Sequence, residues 1–193
     1  MSKRIALLSA AAFGALALTA NVIAPVNAQD KMMKSEMSAE KTVMVGGAPM
    51  YPSKNIVENA VNSKDHTTLV AAVKAAGLVD TLSSAGPFTV FAPTNAAFNK
   101  LPKGTVATLV KPENKATLTK ILTYHVVPGR LEAQDLTNGK KLTTVQGEQL
   151  TVRNSGGRIS IVDSKGGVSA VTISNVNQSN GVIHVVNTVL MPG

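Results

Sequence analysis

From Ser53 onward the apolar residues fall at helical spacing. Ile56, Val57, Ala60 and Val61 form one stripe that Ser53 is placed to cap, and Leu69, Ala72, Val73 and Ala76 form a second behind Asp65. Gly77 offers the left-handed geometry that ends a helix, and Leu78 to Leu82 predicts one more short helical piece. The β-branched and aromatic run Phe88-Thr-Val-Phe91 then predicts a short buried strand. Pro93 stops it, Thr94 can cap the next helix, and Ala97, Phe98 and Leu101 lean an apolar stripe back onto the strand. Gly104 to Val110 predicts a short helix, Pro112 opens another, and Leu118, Ile121, Leu122 and His125 share one face of it. After Pro128-Gly129 the period changes to two. Leu142–Val145, Glu148–Val152, Arg158–Val162 and Val168–Ile173 alternate between glycine-bearing turns, and Val182–Leu190 is apolar on both faces, as a central strand is. Helices early and hairpins late predict an α+β domain.

The first residues carry a different pattern. Lys3 and Arg4 precede the apolar run Ile5–Ala24, and Val26-Asn27-Ala28 supplies small residues at a cleavage site. This predicts a leader, residues 1–28, that is removed after Ala28 and exports the domain to the periplasm or the exterior. If it is kept, the same run is the chain's one route to a membrane. Gln29 to Pro52 lacks sustained periodicity and is expected to be a flexible tail, followed by a single domain over 53–193. Five of the seven methionines lie in that tail: Met32, Met33, Met37, Met44 and Met50. Thioethers are soft ligands for Cu(I), so a metal- or small-ligand carrier is the alternative reading.

Composition narrows the choice of chemistry. There is no Cys, which removes disulfide scaffolds, thiol enzymes and cysteine metal sites. The formal charge is +8, and loss of Lys3 and Arg4 takes two positive charges from it. Weak attraction to anionic polysaccharide, lipid surface or nucleic acid is the consequence. The lysines are scattered and aromatics make up only 3 %, so specific nucleic-acid binding by base stacking is not expected. His66, His125 and His184 have no His or Cys neighbour at metal-ligand spacing. His125 and His184 sit on apolar faces and are expected to be buried and hydrogen-bonded, whereas His66, in the first turn of its helix, is expected at the surface. Asp80, Asp135 and Asp163 stand alone and suit caps and turns. Ser38-Ala-Glu-Lys41 matches Ser-x-x-Lys but lacks the other elements of that chemistry. The chain is expected to be no enzyme, with no cofactor and no metal.

Three stretches together resemble the fasciclin domain, an extracellular module associated with adhesion. They are Phe88-Thr-Val-Phe-Ala-Pro-Thr-Asn-Ala-Ala-Phe-Asn-Lys-Leu101, Ile121-Leu-Thr-Tyr-His-Val-Val-Pro128, and Gly181-Val-Ile-His-Val-Val-Asn-Thr-Val-Leu-Met-Pro192. The resemblance implies helices packed on a twisted, mostly antiparallel sheet in a wedge or sandwich. Phe91, Pro93, Thr94, Asn95, Phe98, Leu101, Tyr124, His125, Gly181, His184 and Pro192 carry its signatures. It implies a binding partner at the cell surface, in the envelope or in extracellular matrix, either a protein or a polysaccharide. Partner binding in the family is ascribed to the Tyr-His region, here Tyr124-His125, and to an Asp-apolar pair that aligns here with Asn175-Val176. The acid of that pair is absent. Asn177-Gln178-Ser179 is a formal glycosylation triplet.

Overall fold

A computed structural model describes residues 42–193. The leader, the Ser38–Lys41 match and Met32, Met33 and Met37 lie outside the described residues. A hairpin of β1 (Val43–Val45) and β2 (Ala48–Met50) opens the fold. Helices α1 (Ile56–Ala60), α2 (Thr67–Ala76) and α3 (Val79–Ser83) come next, then β3 (Phe88–Pro93). Helices α4 (Asn95–Asn99), α5 (Thr105–Leu109) and α6 (Lys115–Tyr124) lead to β4 (Val126–Pro128). Five strands complete the chain: β5 (Lys141–Thr143), β6 (Gln149–Ser155), β7 (Arg158–Val162), β8 (Val168–Gln178) and β9 (Gly181–Val186).

The seven main strands form one sheet in the order β4-β3-β9-β8-β7-β6-β5. Only the β3–β9 pair is parallel; its neighbours all run antiparallel. This central pair explains the unbroken apolar runs, because both of its faces are covered. Val90, Ala92, Ile183 and Val185 turn toward the helices and the β1–β2 hairpin. Phe91 and Val186 turn the other way, onto a second core with Leu150, Val152 and Ile161. The sheet rolls over that second core until its ends approach, and Val145 N–H donates to the Val126 carbonyl at 2.8 Å. Strand β8 makes the bend. Its register against β9 slips between Val171 and Ile173 and again between Ile173 and Val176.

Three sequence expectations change here. The folded part begins before Ser53: Val45 and Met50, placed in the expected tail, are 4 % and 3 % exposed in the helix-side core. Two three-residue strands give too short a period to stand out, yet their alternate residues are buried. Asn55, not Ser53, caps α1, and Glu58 returns the bond in a capping box. Asp65 caps nothing, because a 3-10 turn over Lys64–His66 precedes α2. Thr94 does cap α4, accepting from Ala97 N–H at 3.3 Å, and Gly77 closes α2 at φ 72°.

Candidate functional site

Tyr124 ends α6 and His125 caps it, and both are buried. His125 Nε2 accepts from Leu190 N–H at 2.9 Å, so the neutral ring carries its proton on Nδ1 and donates it to the Ile121 carbonyl at 2.8 Å. Burial lowers its pKa to about 4, against the pull of the Ile121 carbonyl and the Asp163 charge. Tyr124 Oη accepts from Ser164 N–H and lies 3.4 Å from the Gln149 carbonyl. Asp163 Oδ2 accepts from Met191 N–H, and Glu148 Oε2 from Gly193 N–H. These bonds fasten the chain after β9 against α6 and the hairpins. Neither Tyr124 nor His125 presents its side chain to the surface.

His184 is fully buried and stacks on Phe91, ring centroids 5.7 Å apart. Its Nε2 donates to the Leu131 carbonyl at 2.8 Å, Nδ1 has no partner, and burial lowers its pKa. His66, expected at the surface, is only 3 % exposed. The 3-10 turn swings its ring inward, where Nδ1 meets Ser63 Oγ at 2.9 Å and burial again lowers the pKa. Beside it lies an apolar cavity of about 50 Å³, lined among others by Met50, Leu69, Val73 and Ile183. That is well short of the ~300 Å³ at which small-molecule pockets begin. Of the methionines read as soft ligands, Met44 is 57 % exposed while Met50 is in the core, so these two do not converge. Among the described residues no three His, Asp or Glu side chains gather as a metal site would need.

Asn175 stands at φ 57°, the one non-glycine residue in left-handed geometry among the described residues. It sits in the irregular stretch of β8, and its Oδ1 accepts from Ala133 N–H at 2.7 Å. Val176, its apolar neighbour, is 1 % exposed in the core and offers no contact to a partner. The pair expected to meet a receptor therefore splits. Asn175 holds the segment after β4, and Val176 packs inside. Asn177 is half-buried and accepts from Arg130 Nη2 at 2.8 Å.

The same segment, Gly129–Ala133, is held by side chains from β3, β8 and β9. Thr89 Oγ1 donates to the Gly129 carbonyl at 2.7 Å and accepts from Leu131 N–H at 2.8 Å. His184 holds the Leu131 carbonyl, Asn175 holds Ala133, and Gly129 N–H reaches the Pro87 carbonyl at 2.9 Å. Arg130 is thus presented from a backbone fixed on both sides, with Asn177 steadying one arm of its guanidinium. It lines an open cleft of about 450 Å³ together with Asn55, Ser83, Ser84, Ser179 and Asn180. Asn180 is the cleft's anchor: it accepts from Ile56 N–H and donates to the Leu82 and Ser84 carbonyls. At Gly181 any Cβ would run into the Phe88 carbonyl, so the signature glycine lets β9 start close beside β3. The sequence marked Gly181 as a signature residue and Ser179 as part of a glycosylation triplet, but pointed to no site at Ser83–Pro87 or at the lone Arg130 after Pro128-Gly129.

The fold is a rolled sheet capped by helices, with His125 and His184 bonded to backbone and a polar cleft beside Arg130. The fasciclin domain family model matches residues 64–192, and the chain belongs to that family. It is 46 % identical over 155 residues to Protein sll1483 of a Synechocystis strain, covering 80 % of this chain and 83 % of that protein. It is 35 % identical over 195 residues to the immunogenic protein MPB70 of Mycobacterium bovis, covering 97 % and 96 %. Among solved structures, a FAS1 domain pair from the insect cell adhesion molecule fasciclin I superposes with a TM-score of 0.66. At 17 % identity this likeness shows the fold alone; it covers 79 % of this chain and 58 % of that one. Among the described residues no helix is long and apolar enough to cross a membrane.

Proposed function

We propose that the chain is an exported, non-catalytic interaction module that binds a cell-surface, envelope or matrix partner through the cleft beside Arg130. The observation that carries this reading is the convergence of two buried polar side chains, Thr89 and His184, and the half-buried Asn175 on one surface segment. Thr89, His184 and Asn175 all hold the backbone of Gly129–Ala133, from which the exposed Arg130 extends, and Asn177 accepts from its guanidinium. A residue held ready before binding loses less freedom on association, which raises affinity without added contact area. Membership of a family whose insect member is a cell adhesion molecule supports the same reading. The leader expected over residues 1–28 supplies the export this requires.

The test is capture. The domain, immobilised, is exposed to envelope extract and to extracellular matrix, and the same is done with Arg130→Gln. The reading expects a saturable partner whose retention drops in the variant. Equal retention by both proteins would remove the cleft from the reading.

A further inference from the structure

This inference rests on the interaction reading above and names the chemistry of the partner at the same cleft. The cleft combines one guanidinium with neutral polar walls. Arg130 uses Nη2 on Asn177 and makes no ion pair among the described residues, so the rest of its planar fork is open to a ligand. No carboxylate lines the cleft. Glu58, the acid nearest to the lining residue Asn55 along the chain, is committed to the capping box, its Oε2 accepting from Asn55 N–H at 2.9 Å. The Lys54 carbonyl accepts from the N–H of the lining residue Ser179, while the Lys54 Nζ lies over the Tyr51 ring.

A fixed arginine fork matches a carboxylate with two parallel N–H···O bonds. The walls around it select further. Asn55, Ser83, Ser84 and Ser179 bring amide and hydroxyl groups, which pair with hydroxyls on a ligand. Protein partners are anchored mainly by buried aromatic and arginine side chains in well-packed apolar pockets. This cleft has only Ala85 and Pro87 to offer such an anchor. Its volume, about 450 Å³, lies in the range of small-ligand pockets, yet it is open at the surface, so a chain can enter and leave. We propose that the cleft takes a uronic-acid residue of an acidic polysaccharide, with the sugar carboxylate on Arg130 and the ring hydroxyls on the serine and asparagine walls. The net positive charge, +8 for the full chain and two fewer once Lys3 and Arg4 leave with the leader, favours the encounter with such a polymer.

The experiment titrates the protein with an oligogalacturonate, its methyl ester and dextran sulfate, alongside capture from envelope extract. The expected result is saturable binding of the oligogalacturonate and none of the ester. Arg130→Gln should weaken it about tenfold or more, since hydrogen bonds to charged groups contribute about 1.5–3 kcal/mol. Arg130→Lys should recover only part of the loss, because a point charge lacks the fork. Thermal melting of each variant shows that the fold is kept. Equal binding of acid and ester, or of wild type and Arg130→Gln, overturns the proposal. So does binding of dextran sulfate alone. Capture of an envelope partner through Arg130 with no affinity for uronate would sink the sugar assignment while leaving the interaction reading standing; failure of both would sink both.

Discussion

Replacing His125 by Ala tests whether this imidazole is a structural lock. The ring reaches Leu190 N–H, 65 residues further along the chain, at one end and the Ile121 carbonyl of its own helix at the other. Its removal strands the Leu190 N–H and the Ile121 carbonyl away from water, at about 1–3 kcal/mol for an unsatisfied buried group. The vacated ring space adds a cavity term, and large-to-Ala changes in cores cost about 2–5 kcal/mol. A total of about 4 kcal/mol or more is a large part of the roughly 5–15 kcal/mol that holds such a domain, which here has no disulfide to share the load. Urea unfolding followed by far-UV circular dichroism measures it. His125→Phe keeps most of the volume and isolates the hydrogen-bond part, so it should fall between wild type and His125→Ala. A loss below about 1 kcal/mol in His125→Ala would refute the lock.

The same residue sets a pH signature. Its folded pKa, about 4, lies below the ordinary 6.5 it regains on unfolding. The unfolded chain therefore takes up a proton that the folded one refuses. The neutral ring's contribution is fully present above pH 6.5 and declines as pH falls toward 4, by about 1.4 kcal/mol per pH unit and of order 3 kcal/mol in all. His66 and His184 are lowered by burial too and act in the same direction. In His125→Ala the slope of stability between pH 6.5 and 4 should flatten; an unchanged slope would mean the titration belongs elsewhere.

Further outcomes rest on the same contacts. Met50→Ala should lower stability by about 2–4 kcal/mol in urea titration, because the side chain fills the helix-side core; a shift within experimental error would return the hairpin to a dispensable tail. Asn175→Gly should cost about 1 kcal/mol for the bond to Ala133, and Asn175→Ala about 1 kcal/mol more for left-handed geometry, so equal losses would show that the backbone is relaxed there. Tyr124→Phe should cost about 1–3 kcal/mol by leaving Ser164 N–H unsatisfied, read from the shift in unfolding midpoint. Thr89→Val should weaken partner capture as well as stability, since it frees both sides of Arg130; full capture by a destabilised Thr89→Val would separate the loop from binding.

How far the sequence reached depends on the scale of the signal. Helices with four apolar residues on one face, such as α2 and α6, and the two-sided runs of β3 and β9 announced themselves through period and β-branching. The β1–β2 hairpin did not, because three residues per strand hold barely one period. His66 misled because exposure was inferred from a helix start one residue too early; the 3-10 turn over Lys64–His66 rotates the ring inward. The second half of β8 was also hidden: the alternating run ends at Ile173, whereas the strand goes on to Gln178 through a bulge that holds Asn175 in left-handed geometry.

The cleft was the least legible feature, for a physical reason. Its parts come from Asn55, the Ser83–Pro87 connection, Arg130 and Ser179–Gly181, which meet only because β3 and β9 run parallel side by side. A parallel register is fixed by long-range packing and leaves no local trace. The sequence did mark the support beneath it, in His184, Asn175 and the strand containing Thr89. Each was read as a signature or binding residue, and each reaches the segment around Arg130 through a single backbone hydrogen bond or a pair of them. The recognisable residues of this fold are thus buried anchors, whereas the group they present, an exposed arginine on a short loop, can change without disturbing them. Two domains with the same three motifs can therefore share a core and differ in what they hold.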